Sequence, residues 1–139
     1  MSVFEIKGGK KLKGELIPQG AKNEALQVIC AVLLTEEEVT IHNIPDIRDV
    51  NFLIDLLGYM GVKINRKDRS TCTFKADQVD IEYLLTDDYK KKAAALRGSV
   101  MVLGPLLSKF KRAYMPKPGG DRIGRRPIDT HLLGFEKLG

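Results

Sequence analysis

A repeated order of short strand-like and longer helix-like segments constrains this chain more than any other feature. Apolar residues alternate along the short runs and recur at three- and four-residue steps along the longer ones. In chain order these are strands at 3–6 and 15–17, a helix at 23–34, a strand at 39–41, a helix at 47–60, and strands at 62–64 and 71–74. From residue 15 onward, this order predicts one βαβαββ unit.

The same order then begins again. The second series has a weak strand at 79–85, a long apolar helix at 93–107, a strand at 113–115, and a helix that Pro127 opens at its first position. Gly139 stands where Gly61 ended the second helix of the first unit. Such internal repetition indicates a longer parent protein with more units. We therefore expect an α/β (α+β) fold, one unit plus most of a second; a complete small α/β domain with an irregular second half is the alternative.

Composition narrows the cellular setting. The longest apolar run, Val28–Leu34, is far too short to span a bilayer, and the first residues lack the apolar core of a signal peptide. Cys30 and Cys72 belong to no Cys-x-x-Cys pair, so buried free thiols are expected and no structural zinc site can be assembled. We expect a cytoplasmic protein that binds no metal.

The net charge of +5 is concentrated in one part of the chain. The cluster comprises Lys109, Lys111, Arg112, Lys117, Arg122, Arg125 and Arg126. Such a cluster attracts anions, whether nucleic acid, phospholipid or a phosphorylated metabolite. Aromatic residues make up only 6% of the chain and tryptophan is absent, so platforms for stacking on bases are not evident and a phosphorylated small molecule is favoured over single-stranded nucleic acid.

Two segments carry candidate anion-binding residues. Lys22 and Asn23 lie at a turn that enters the first helix, with Asn23 expected at the N-cap, where unpaired N–H groups and the helix dipole attract anions. A solvated lysine beside an ordinary cap is the other interpretation. Arg97 is surrounded by apolar residues, and its guanidinium therefore requires either an internal carboxylate or a ligand phosphate.

A third candidate is the loop PGGDRIGRRPIDTH at 118–131. Its glycine pair permits hinge motion, and Asp121 follows directly. An aspartate on a hinged loop can act as a general acid if loop closure desolvates the carboxyl group and raises its pKa. A charged loop without a fixed structure is the alternative.

Four stretches carry a family resemblance. They are GELIPQGAKNEAL (14–26), IPDIRDV (44–50), LRGSVMVLGPLLSKF (96–110) and PGGDRIGRRPIDTH (118–131). With these motifs in this order, essentially the whole chain resembles the N-terminal part of the enolpyruvyl transferases. The resemblance implies two domains built as inside-out α/β barrels of βαβαββ units, with the active site between them. Residues 1–20 would be strands belonging to the other domain, and 21–139 would form an incomplete N-terminal domain.

The resemblance also implies a reaction. The enolpyruvyl group of phosphoenolpyruvate would be transferred to the 3′-hydroxyl of UDP-N-acetylglucosamine with release of phosphate, the first committed step of peptidoglycan synthesis. Its partners would be these two small molecules, with no cofactor, nucleic acid or membrane. Because the family's acceptor base and further arginines belong to the C-terminal part, the 139 residues alone are expected to be inactive.

Site residues follow from the same resemblance, position by position. Phosphoenolpyruvate would be bound by Lys22, Asn23 and Arg126, and the nucleotide sugar by Arg97, Arg126, Pro127, Ile128, Asp129 and Thr130. Asp121 matches the loop acid that protonates the methylene carbon of phosphoenolpyruvate. Most of the family has a cysteine there, so we expect the epoxide fosfomycin, which alkylates that cysteine, not to modify this protein.

Two alternatives remain open. The sister enzyme of the family, which uses 3-phosphoshikimate as the acceptor, shares the fold and the donor. A non-catalytic α/β module that binds nucleic acid through the basic cluster would show an affinity that falls steeply with salt.

Overall fold

The computed structural model describes residues 3–120, 124 and 127–139. Its helices are α1 (Lys22–Ala31), α2 (Arg48–Tyr59), α3 (Asp87–Ala95), α4 (Leu103–Phe110) and α5 (Asp129–Leu138). Its strands are β1 (Glu38–Ile41), β2 (Lys63–Arg66) and β3 (Cys72–Lys75), and short 3₁₀ segments occupy Val32–Leu34, Glu82–Leu85 and Arg97–Val102. The mixed α/β class expected from the sequence is confirmed.

The sheet has the order β1-β3-β2, and β3 is antiparallel to both neighbours. Val39, Phe74 and Ile64 share one register across the three strands, so their side chains lie on one face. Phe74 is fully buried in the core with the apolar faces of α1 and α2. Cross-strand apolar contacts of this kind are the main source of stability in a small sheet.

The two helices and the last three strands of the first unit form close to where the sequence predicts them. In α2, Val50, Leu53, Ile54 and Leu57 are buried at the three- and four-residue spacing that defines its apolar face. Cys30 and Cys72 are buried free thiols, as predicted, and burial raises the pKa of Cys30 to about 12. Neither thiol is placed to act as a nucleophile at neutral pH.

The strands predicted at 3–6 and 15–17 are not formed in the structure. Residues 3–20 contain no helix or strand, and the large apolar side chains there, among them Phe4 and Leu12, are between 84% and 98% exposed. A strand requires a hydrogen-bonded neighbour, and the described chain supplies none beside this segment. The assignment of residues 1–20 to another domain stays a prediction.

The segment 79–85, predicted as a weak strand, instead turns into a 3₁₀ segment. The Asp80 carboxylate accepts hydrogen bonds from the backbone N–H groups of Glu82 (3.0 Å) and Tyr83 (3.2 Å). An aspartate that bonds to the backbone two and three residues ahead bends the chain and competes with a strand.

The prediction of a single helix at 93–107 is also wrong, because helical structure is interrupted at Leu96. The Ser99 hydroxyl lies 2.7 Å from the carbonyl oxygens of both Ala93 and Leu96, so it can satisfy one of them where α3 ends. Pro105 contributes no N–H group and crowds the preceding turn, which prevents a continuous helix. Arg97 therefore begins a 3₁₀ segment rather than lying inside a helix.

The strand predicted at 113–115 and the predicted start of the last helix also need correction. Residues 113–115 run without regular structure, held by the Tyr89 hydroxyl, which donates to the Tyr114 carbonyl (3.0 Å). No strand in the described chain lies alongside to complete a ladder there. Helix α5 starts at Asp129 with Ile128 at the N-cap, so Pro127 precedes the helix and does not occupy its first position.

Candidate functional site

The N-terminus of α1 forms one wall of the site. Ala21 occupies the N-cap with an extended backbone, and no side chain caps the helix. Asn23, predicted as the N-cap, lies inside the first turn, and Lys22 is the first helical residue. The first N–H groups of a helix have no intrahelical acceptor, so this end carries partial positive charge in addition to the Lys22 ammonium.

A cavity of about 560 Å³ opens at this helix end. Lys22 and Asn23 of α1, Arg97 and Met101 of the 3₁₀ segment, and Ile128 before α5 all line it. The structure thus brings together four of the residues that the sequence marked as candidates. A cavity of this size is typical of small-molecule sites.

A second cavity, of about 340 Å³, shares part of its wall with the first. Lys22 and Arg97 line both cavities, whereas Arg48 and Gly120 line only the second. Gly120 directly precedes Asp121 in the chain. Three cationic side chains around one cavity provide an electrostatic environment suited to an anionic ligand.

The remaining predicted site residues are placed as follows. Pro127, Asp129 and Thr130 are exposed at the start of α5 and line neither cavity. Asp121 and Arg126 lie outside the described residues. The roles of all these residues stay predictions.

Sequence reasoning missed several residues of the site. Asp49, the second residue of α2, forms an ion pair with Lys22 and lines both cavities. Gln27, His131 and Phe135 complete the wall of the larger cavity. The available signal was weak, since an acid in the first turn of a helix is common for reasons of helix polarity alone.

The base of the 118–131 loop is fixed by a close backbone approach. A Cβ atom built at Gly119 would overlap the carbonyl oxygen of Ala94, near the end of α3. Gly120 has a φ of +96°, a conformation that other residues rarely adopt. The glycine pair therefore allows residues 119 and 120 to lie directly against the end of α3.

If the loop that begins at Gly119 carries the general acid predicted from the sequence, replacing Gly119 with alanine in the full-length protein is expected to lower kcat by about 10- to 100-fold, because a displacement near 1 Å of a reacting group costs rates of that order. Steady-state kinetics would measure the loss. Gly134→Ala is the matched control, because a Cβ there meets nothing within 4 Å. Unchanged kcat in Gly119→Ala would show that this contact does not position the loop.

In the described residues, no cluster of three or more histidine, cysteine or acidic side chains could hold a metal ion. Within the same part of the chain, no helix is both long and apolar enough to cross a bilayer. The basic cluster is partly neutralised, because Lys109 lies 3.5 Å from Glu36 and Arg112 lies 2.9 Å from Glu82.

Comparison with known proteins places this site in a family. The model of the family described as EPSP synthase (3-phosphoshikimate 1-carboxyvinyltransferase) matches residues 6–139. The chain belongs to the EPSP synthase family. The cavity-lining residues Lys22, Asn23 and Arg97 all fall within the matched region of this EPSP synthase family member.

Individual relatives of this family member share one name, UDP-N-acetylglucosamine 1-carboxyvinyltransferase. The protein of that name from Porphyromonas gingivalis is 58% identical over 139 residues, and that from Bacteroides thetaiotaomicron is 55% identical. A third, from Psychrobacter arcticus, is 43% identical over 140 residues. Each alignment covers 100% of this chain and 32% of the relative, so the chain spans about a third of the length of these curated relatives.

Proposed function

We propose that the full-length protein containing this chain is a UDP-N-acetylglucosamine 1-carboxyvinyltransferase. The observation that carries the proposal is the convergence of Lys22, Asn23 and Arg97 on one cavity, in a chain 58% identical to a protein of that name. The enzyme transfers the enolpyruvyl group of phosphoenolpyruvate to the 3′-hydroxyl of UDP-N-acetylglucosamine. Peptidoglycan synthesis in the cytoplasm is its proposed setting.

The chemistry requires an acid and fixed cations. Protonation of C3 of phosphoenolpyruvate by the Asp121 carboxylic acid leaves positive charge at C2, which the 3′-hydroxyl attacks as its proton passes to the family's acceptor base in the C-terminal part. Because the product keeps the enol double bond, C3 must then return a proton to the Asp121 carboxylate while C2 releases phosphate. Lys22 and the N-terminus of α1 are suited to binding the phosphate, since charge-assisted hydrogen bonds to anions are strong and directional.

Two arrangements in the fold support these roles. Gly120 lines the second cavity beside Lys22 and Arg97, so Asp121 follows in sequence from a residue already at the cations. Ile128 lines the larger cavity, and the exposed Pro127, Asp129 and Thr130 flank it at the start of α5. We propose that the nucleotide sugar is bound by Arg97, Arg126, Pro127, Ile128, Asp129 and Thr130. Phosphoenolpyruvate is bound by Lys22, Asn23 and Arg126.

The relation between the two domains is part of the same proposal. The exposed apolar residues between 3 and 20 are suited to packing against chain that the relatives have beyond the matched third. We propose that this segment belongs to the other domain and that 21–139 is the incomplete N-terminal domain. The 139 residues alone are accordingly expected to release no phosphate.

A competition between acceptors tests the proposal. Phosphate release from phosphoenolpyruvate by the full-length protein is expected with UDP-N-acetylglucosamine and not with 3-phosphoshikimate, and calorimetry should show binding of the nucleotide sugar only. Turnover with 3-phosphoshikimate would instead assign the sister activity. Tight binding of nucleic acid that collapses with salt, without phosphate release, would favour the non-catalytic alternative.

A further inference from the structure

Asp49 is the sole carboxylate among the described residues that line either cavity. Its side chain forms an ion pair with the Lys22 ammonium, and both side chains are about half exposed, at 43% and 48%. The pair joins the first residue of α1 to the first turn of α2. The ion pair therefore links the two helices at the cavity wall.

A carboxylate at this place works against an anionic ligand. Like charges within a few ångströms repel, and the repulsion is screened only in part at a half-exposed site. Arg48 and Arg97 line the second cavity together with the pair, so the site as a whole still attracts anions. The carboxylate must therefore contribute something that offsets its repulsion.

Positioning of Lys22 is that contribution. A free lysine side chain samples many rotamers, and ordering it has a cost in conformational entropy. An ion pair with Asp49 restricts the ammonium to the wall shared by the two cavities before any ligand arrives. Ordering before binding improves affinity because the ligand no longer has to restrict the side chain.

We propose that Asp49 is a positioning residue that holds the Lys22 ammonium in place for the phosphate of the anionic donor. This inference rests on the proposed function, in which that donor is phosphoenolpyruvate. Asp49 acts through Lys22 and takes no part in proton transfer. Its effect is accordingly confined to the donor and does not extend to the nucleotide sugar.

The first test is Asp49→Asn in the full-length protein. We expect KM for phosphoenolpyruvate to rise about two- to fivefold, the range for losing a partly exposed ion pair, with kcat and KM for UDP-N-acetylglucosamine nearly unchanged. Asp55→Asn, an exposed substitution on the same helix, is the matched control and should leave all three constants unaltered. A lower or unchanged KM for phosphoenolpyruvate would mean that repulsion outweighs positioning and would overturn the inference.

A double-mutant cycle with Lys22→Met separates positioning from a structural role. If Asp49 acts through Lys22, Asp49→Asn no longer raises KM for phosphoenolpyruvate once the ammonium is gone, and KM falls or stays the same because only the repulsion by the carboxylate is removed. An equal effect in both backgrounds would assign Asp49 to stabilising α2 and reject the proposal. Asp49→Glu should recover part of the lost affinity. Asp49→Ser, which retains a hydrogen-bonding oxygen in the first turn, replaces the asparagine variant if that one unfolds.

Calorimetric titration with phosphoenolpyruvate keeps the two proposals distinguishable, because it requires no turnover. If the wild-type protein binds phosphoenolpyruvate more tightly than Asp49→Asn but transfers nothing to UDP-N-acetylglucosamine, the positioning role stands and the proposed function fails. If the wild-type protein turns over and the two proteins bind phosphoenolpyruvate equally, only the positioning role fails.

Discussion

Replacing Asp121 with alanine in the full-length protein is expected to lower kcat by about 100- to 10,000-fold, the usual contribution of a general acid. Without a proton donor at C3, positive charge cannot develop at C2 and the acceptor hydroxyl has no electrophile to attack. Both substrates should still bind, since their phosphates contact other groups. Steady-state phosphate release combined with calorimetry of each substrate would measure the two effects separately.

Asp121→Cys provides the complementary variant. A thiol can also deliver the proton, so activity should be largely retained, while the thiolate adds a soft nucleophile that the carboxylate lacks. Fosfomycin should then alkylate the variant and leave the wild-type protein unmodified, as intact-protein mass spectrometry would record. A drug adduct on wild-type Asp121, or full activity in the alanine variant, would contradict the role proposed for this residue.

Replacing Lys22 with methionine is expected to lower kcat/KM for phosphoenolpyruvate by about 10- to 100-fold. A hydrogen bond to a charged group contributes roughly 1.5–3 kcal/mol, and methionine keeps the length of the side chain without the ammonium. Lys67→Met, exposed in the turn between β2 and β3, is the control for loss of a positive charge. Lys22→Arg should recover only part of the effect, because a planar guanidinium cannot replace a compact ammonium without rearrangement.

The affinity of the Lys22→Met variant for the nucleotide sugar shows why its kcat/KM for phosphoenolpyruvate falls. If the methionine variant binds UDP-N-acetylglucosamine as the wild type does, the loss is local to the donor. An equal fall for both substrates would indicate damage to α1 and argue against a specific phosphate contact.

The part of the fold from α1 to β3 could be predicted because its signals are local and agree with one another. The apolar spacing along α2, the glycine that follows it and the alternation in β2 and β3 all indicate the same elements. The segments after β3 could not be predicted, because single polar side chains determine their backbone conformation. The carboxylate of Asp80 and the hydroxyl of Ser99 each form hydrogen bonds with backbone groups. These bonds bend or end the segments for which the apolar pattern predicted a strand and one long helix.

The site was predictable only in part, for a different reason. Lys22 and Asn23 stand out through a turn motif and Arg97 through its apolar neighbours, and the family resemblance relates them. The pairing of Lys22 with Asp49 depends on how α1 packs against α2, which no local pattern encodes. The close approach of Gly119 to the backbone of Ala94 likewise depends on tertiary packing between segments far apart in the chain.

The strand order has a consequence for synthesis on the ribosome. Among the residues that the structure describes, β1 and β2 do not bond to each other and each pairs with β3, the last of the three to be translated. Neither early strand can find its sheet partner until residues 72–75 have emerged, so the nascent chain must carry two unpaired strands while α1 and α2 are already available to collapse. Translation pausing before residue 72 would lengthen the exposure of those strands to aggregation and chaperone capture.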